Sequence, residues 1–349
     1  MDKVKNIVWL LCLVIPILVW GAEREVTVVN GEVTLAGTLL MPETGMAKGA
    51  PVKGASVKGA VVMVTGSGAQ NRDEELMGHK PFRTIAEYLA SRGYATLRLD
   101  DRGVGGSTGD FSKATADDFV SDTQAAIAFV NNELPGVPVG VLGHSEGGSV
   151  GIRTASDSTG AVKPEFLITI GAPAWQGDSI IMSQARAMAV ALQGSWPQEG
   201  MQRNYLNIAM SKTPAFKARL ALQMAFRNDM GAQVDMPQVK QILDQQIDAL
   251  LSNGYRQMLR YNPAEDIRAV QVPWLAVNGE LDMQVLPGNL QTIKELNPKA
   301  ETLLLPGHNH LLQKAKTGLP TEYGQIPEDI SPEALQAIGD WLDTNLNRF

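Results

Sequence analysis

The pentapeptide Gly143-His144-Ser145-Glu146-Gly147 has the form Gly-x-Ser-x-Gly, which sets a serine on a sharp turn from strand to helix. Glycines two before and two after the serine let the backbone fold tightly and raise the hydroxyl clear of it. A serine hydroxyl is a weak nucleophile at neutral pH. Acyl transfer through it needs a base to take the proton and an acid to orient that base. The chain has four histidines. His144 adjoins the serine and is expected to point elsewhere, and His79 reads as a surface or loop-packing residue ahead of a helix. His308 and His310, in Leu305-Pro306-Gly307-His308-Asn309-His310, are left as candidate bases. Their spacing also suits half of a metal site, but no third histidine is close in sequence, so no metal and no cofactor are expected. In Val277-Asn278-Gly279-Glu280-Leu281-Asp282, both Glu280 and Asp282 qualify as the acid.

These residues need a frame that carries them to one place. Residues 25–41 alternate apolar and polar about Asn30-Gly31, a hairpin signal. Short β-branched and aliphatic runs follow at Val61–Val64, Ala95–Leu99, Val137–Leu142, Phe166–Ile170, Trp274–Val277 and Thr302–Leu305. Helical patterns occupy 82–92, 115–133, 148–156 and 331–347. Buried strands alternating with helices predict an α/β fold, a mostly parallel central sheet covered by helices on both faces. The strand at 137–142 leads into Ser145 and the helical pattern leads out, the context the serine turn requires.

From about 175 to 262 the alternation stops and helical patterning dominates. Eight of the fourteen methionines fall there: Met182, Met188, Met201, Met210, Met224, Met230, Met236 and Met258. The plain expectation for them is helical core packing. The sharper one is a helical lid inserted between two strands, its pliable side chains lining a site for apolar groups. This divides the chain into a core part at 22–174, a lid at 175–262 and a second core part at 263–349.

Composition bounds the rest. With 349 residues, 44% hydrophobic and 19% charged, the chain suits one large α/β domain with an insertion. Thirty basic residues against 37 acidic ones give a net charge of −7 without a long basic run, so a nucleic-acid partner is not expected. Lys3 and Lys5 precede an apolar run from Ile7 to Trp20 that contains Pro16 and ends in Gly21-Ala22. Charged start, apolar middle and small-residue exit predict a signal peptide over 1–21, export to the periplasm or beyond, and no stable membrane span after cleavage, with an uncleaved membrane anchor as the alternative. Its removal takes the net charge from −7 to −8, because Asp2, Lys3 and Lys5 leave with it. Cys12, the only cysteine, lies in this segment, so the exported chain has neither disulfides nor a thiol nucleophile. Residues 43–60 repeat Lys-Gly-Ala at 48–50, 53–55 and 58–60 and read as a surface loop.

The serine motif is joined by Gly66-Ser67-Gly68-Ala69-Gln70-Asn71-Arg72-Asp73-Glu74, Asp100-Asp101-Arg102-Gly103-Val104-Gly105-Gly106-Ser107, Asn278–Asp282 and Asn309-His310. With these segments the chain resembles the α/β-hydrolases, in particular bacterial secreted proteins related to dienelactone-hydrolase-like esterases and serine aminopeptidases. The resemblance implies an α/β-hydrolase fold with chain order Ser…Asp…His. It implies Asp282 as the acid, since Gly279 to Asp282 fits Gly-x-x-Asp, and His310 as the base, since Gly307 to His310 fits Gly-x-x-His. The family's oxyanion loop aligns with Thr65-Gly66-Ser67, which makes the backbone N–H groups of Ser67 and Glu146 the oxyanion donors. Asp100-Asp101-Arg102 is expected to brace the loop below the site by ion pairing, and Arg72–Glu75 to border the acyl pocket. The expected function is hydrolysis of a small-molecule ester with a small to moderate acyl group, acetyl and aryl esters of plant carbohydrate included. The alternatives are a serine peptidase of the aminopeptidase type and a non-catalytic binding protein on a hydrolase fold. The peptidase would use an acid of the lid, among Glu199, Asp229, Asp235, Asp244 and Asp248, to hold an ammonium.

Overall fold

The structure, a computed structural model, describes residues 23–42, 57–157 and 162–346. The expected signal peptide with Cys12, and the first two Lys-Gly-Ala repeats, lie outside these. The third repeat is not loop: Gly59 and Ala60 open a strand and are buried.

Eight strands form one sheet in the order β1-β2-β4-β3-β5-β6-β7-β8. β1 (Glu23–Asn30) and β2 (Val33–Leu40) form the antiparallel hairpin that Asn30-Gly31 announces. β2 pairs antiparallel with β4 (Tyr94–Leu99). All further pairings, through β3 (Gly59–Val64), β5 (Val139–His144), β6 (Leu167–Ile170), β7 (Trp274–Gly279) and β8 (Glu301–Leu305), are parallel. Six strands, β4 included, thus end at one edge, the side on which parallel sheets bind ligands.

Side chains alternate across a strand, so successive residues of the central strands enter different cores. Val62, Val141 and Leu167 pack with α2 (Ala116–Glu133) and α3 (Glu146–Ser156) on one face. Val61, Leu142 and Ile168 pack with α1 (Pro81–Ser91) on the other, together with Trp341 and Leu342 of the last helix, Pro332–Leu346. α2 starts at a capping box in which the Asp118 carboxylate receives the backbone N–H of Thr115 at 2.9 Å. Two helices, Ala264–Ala269 and Gly288–Leu296, flank β7 where the periodicity of the sequence is too brief to announce them.

Between β6 and β7 the chain leaves the sheet for five helices: α4 (Gly177–Gln193), α5 (Glu199–Met210), α6 (Ala215–Met230), α7 (Pro237–Leu251) and α8 (Asn253–Arg260). They carry apolar clusters of their own, one around Leu222, Phe226 and Ile247, another around Met182, Leu206 and Leu259. The methionines divide accordingly. Met182, Met210, Met230 and Met258 pack in these clusters, whereas Met201, Met224 and Met236 face outward.

Candidate active site

Ser145 lies in the one-residue gap between β5 and α3, with φ 54° and ψ −119°. A non-glycine residue at positive φ is strained. Here it is held on both sides, because Ser145 N–H donates to the Ile170 carbonyl at 2.8 Å and its carbonyl receives Gly148 N–H at 2.9 Å. The flanking glycines are a steric necessity. A Cβ on Gly143 would lie 2.2 Å from the Gly147 carbonyl oxygen, and one on Gly147 only 2.1 Å from that of Val64. The helix begins directly after the serine, two residues earlier than its periodicity implied, because glycines weaken that signal.

His310 follows β8, and its Nδ1 lies 2.7 Å from Asp282 Oδ2. Asp282 follows β7, and its other oxygen accepts the backbone N–H groups of Gln284 and Val285, both at 2.8 Å. The loops after β7 and β8 are fastened together: Glu280 N–H donates to the Leu305 carbonyl at 2.9 Å and Leu281 N–H to that of His308 at 2.8 Å. Gly171, at the end of β6, makes room for the imidazole, since a Cβ there would stand 2.9 Å from the His310 ring. The competing residues are engaged elsewhere. Glu280 accepts Gly307 N–H at 2.9 Å. His308 sets its ring nitrogens against the Pro306 carbonyl and the Ser331 hydroxyl, at 2.9 and 2.8 Å. His79 is packed between Asp329 and the Tyr323 carbonyl. Among the described residues no group of three or more His, Cys, Asp or Glu is placed to hold a metal ion.

Ser67 follows β3 and, with Ser145, Glu146 and His310, faces a cavity of about 900 Å³. The neighbouring Gly66 N–H is already taken by Glu74 Oε1 at 2.6 Å. Asp101 fastens the same loop, accepting the Thr65 hydroxyl at 3.0 Å and Gln70 N–H at 2.9 Å. Burial pushes the Asp101 carboxyl up to about 7, beyond what these two hydrogen bonds recover. Burial likewise pushes up the carboxyl of Glu146. The other members of these acidic runs are braces. Arg72 pairs with Asp100 at 2.8 Å and Arg102 with Asp122 at 2.6 Å. Of Arg72–Glu75, only Glu74 lines the cavity.

Phe111, Phe119, Trp175, Ile180, Tyr255 and Met258 supply much of the cavity's apolar wall, the last five drawn from the core, α4 and α8 alike. Met258 is the only methionine of the insertion that reaches it. His144 departs from expectation. It does not point away from the site but lines the same cavity, its Nδ1 2.9 Å from Glu74 Oε1 and its Nε2 3.1 Å from the His310 carbonyl. Burial opposes charge on this ring, yet the Glu74 carboxylate outweighs it and raises its pKa. Sequence placed Glu74 only within a run of four residues bordering the pocket, and Asp101 only within an ion-pairing brace; it did not single out Glu74 as the partner of His144, or Asp101 as a hydrogen-bonding rather than ion-pairing anchor of the loop. The signal was an acidic residue within a few positions of the Gly66-Ser67-Gly68 loop, too common to read alone.

The sequence model of the family described as serine aminopeptidase, S33, matches residues 78–312, a span that holds Ser145, Asp282 and His310 but not Ser67 or Glu74. No curated protein matches the chain in sequence. Among solved structures it is similar to the esterase Pf2001 of Pyrococcus furiosus, at 16% identity and a TM-score of 0.56 over 93% of this chain and 92% of that one. It is also similar to the proline iminopeptidase of Mycobacterium smegmatis, at 16% identity and 0.55 over 93% and 99%. Est1E of Butyrivibrio proteoclasticus, solved with ferulic acid bound, gives 13% and 0.54 over 92% and 99%. At such identities the likeness establishes the α/β-hydrolase fold.

Proposed function

The chain belongs to the serine aminopeptidase, S33, family of hydrolases, and we propose that within it this protein is a serine esterase cleaving carboxylic esters of small to moderate acyl groups. The observation that carries the reading is the bond of 2.7 Å between His310 and Asp282 at the cavity that Ser145 faces. In the proposed reaction, the Ser145 oxygen attacks the acyl carbonyl as His310 takes its proton. Asp282 holds the imidazole in the tautomer with Nδ1 protonated and stabilises its cation. The N–H groups of Ser67 and Glu146 receive the charge on the carbonyl oxygen, each worth roughly 3 kcal/mol of barrier. His310 returns its proton to the departing alcohol. Water then attacks the acyl-enzyme, gives His310 a proton that passes to the serine oxygen, and the acid leaves.

Ester rather than peptide cleavage is favoured by the acids of the helical insertion. A peptidase that holds a free amino terminus through the insertion needs an unpaired carboxylate of the insertion facing the cavity. Glu199, Asp235 and Asp244 pair with Arg203, Arg227 and Arg219, and Asp229 accepts the Tyr205 hydroxyl. Asp248, the one of the five that lines the cavity, is also paired with Arg219. The apolar wall from α4 and α8 suits an aliphatic or aryl group, and in this reading the insertion serves as the lid. Export is part of the proposal and rests on Lys3, Lys5 and the apolar run to Trp20.

The test is a series of p-nitrophenyl esters of increasing chain length beside aminoacyl-nitroanilides. Turnover of the esters alone, abolished in Ser145→Ala, is the expected result. Turnover of the anilides at comparable kcat/KM would replace the esterase reading with the peptidase one.

A further inference from the structure

Next to the serine lies a second buried carboxylate–imidazole contact that the proposed reaction does not use. Glu74 Oε1 receives Gly66 N–H at 2.6 Å and stands 2.9 Å from His144 Nδ1. His144 Nε2 stands 3.1 Å from the main-chain carbonyl of His310, and the two imidazole rings are 4.6 Å apart. Glu74 is 4% exposed and His144 6%. A carbonyl only accepts, so the bond to His310 requires a proton on Nε2. The contact to Glu74 then holds a further proton between the ring and the carboxyl group. One chain of bonds therefore runs from the oxyanion loop, through Glu74 and His144, to the backbone of the base.

We propose that Glu74 and His144 are positioning residues, which hold the loop bearing Ser67 and the backbone of His310 at a fixed separation around Ser145. The inference rests on the serine-esterase reading and gives that site two further members. Two costs at Glu74 support it. Its φ is +53°, a strained value that it shares, among the described non-glycine residues, with Ser145 at +54°, Leu312, two residues after the base, at +55°, and the exposed Met77 at +52°. Its Oε2 is buried without a hydrogen-bond partner among the described residues, an expense that buried polar atoms seldom carry. Strain and an unsatisfied oxygen coincide at the side chain through which His144, and with it the backbone of the base, is tied to the oxyanion loop.

Glu74→Gln separates charge from shape. The amide still accepts from Gly66, but it cannot share the second ring proton, so His144 is left with one proton for two acceptors. The measurement is kcat and KM for p-nitrophenyl butyrate from about pH 5 to 9, normalised to sites titrated with a fluorophosphonate. His144→Gln and the double variant are run beside it. The titratable groups that act on His144 are Glu74 from the oxyanion loop, and His310 and Asp282 from the loops after β8 and β7. Among them Glu74 alone changes in Glu74→Gln.

Each single variant is expected to lose about 100-fold in kcat per titrated site, the scale of a misplaced oxyanion donor. KM should stay within about twofold, the acid limb of the profile should move, and the double variant should lose no more than either single. Wild-type kcat and pH profile per titrated site in either single variant, beside an inactive Ser145→Ala, would overturn the positioning role alone. Should Glu74→Gln fail to fold, His144→Gln decides by the same criterion. Turnover surviving in Ser145→Ala would instead remove the esterase reading on which the inference rests.

Discussion

Asp282 Oδ2 lies 2.7 Å from His310 Nδ1 with the two side chains 0% and 4% exposed, while Glu280, two residues earlier, turns outward to the Gly307 amide. A buried carboxylate whose second oxygen takes two backbone N–H groups is fixed in place, so the imidazole it holds is fixed as well. The same loop offers two carboxylates, and only one reaches a histidine. Asp282→Asn should keep the shape and lower kcat by about 10⁴-fold through the wrong tautomer, whereas Glu280→Gln should stay within about threefold. Steady-state kinetics on a p-nitrophenyl ester separates them, and equal losses would void the assignment.

The two histidines of the loop after β8 should part in the same way. His310→Ala is expected to abolish turnover with little change in unfolding midpoint. His308→Ala removes bonds to Pro306 and Ser331, so its cost of about 1–2 kcal/mol should appear in urea unfolding and not in kcat. The reverse ranking would make His308 the base.

Asp101 gives a stability signature that depends on pH. Its carboxyl sits at about 7 in the folded chain, against roughly 3.9 when unfolded. Between those values the folded state holds a proton that the unfolded state has released. Stability therefore falls as pH rises from about 4 to 7, and the penalty is complete above that. Asp101→Asn cannot ionise. Relative to wild type, the variant should gain about 2 kcal/mol on going from pH 5 to pH 8, read by urea unfolding at both. A difference independent of pH would show that the carboxyl is not held up.

At the serine turn, Gly147→Ala would force a Cβ to 2.1 Å from the Val64 carbonyl oxygen, a backbone atom that cannot swing aside. Gly151→Ala, one helical turn on, meets only side-chain methyl groups, Leu167 Cδ1 at 3.0 Å and Val141 Cγ1 at 3.2 Å. The first substitution should cost about 3 kcal/mol or more and the second less than about 1 kcal/mol. Thermal unfolding of both checks the ranking.

The central strands β3, β5, β6 and β7 were legible because each is a short apolar run buried on both faces, and the serine was legible because its turn demands glycine. β5 nevertheless reaches His144, two residues beyond its apolar run, since Gly143 and His144 pair with Thr169 and Ile170 for reasons of sheet register. From the residues alone, His308 and His310 could not be told apart, nor Glu280 and Asp282. The loops fastened together after β7 and β8 bring Asp282 rather than Glu280 against His310, a tertiary juxtaposition that local pattern does not report. His144 was misplaced for a related reason. Its partners, Glu74 and the His310 carbonyl, lie 70 and 166 residues away, beyond what local pattern reports.

Covalent labelling tests the serine most directly. A fluorophosphonate should form one adduct per chain, mapped by peptide mass to Ser145, absent from Ser145→Ala and strongly slowed in His310→Ala. An adduct on another residue, or labelling of Ser145→Ala at the wild-type rate, would contradict the account.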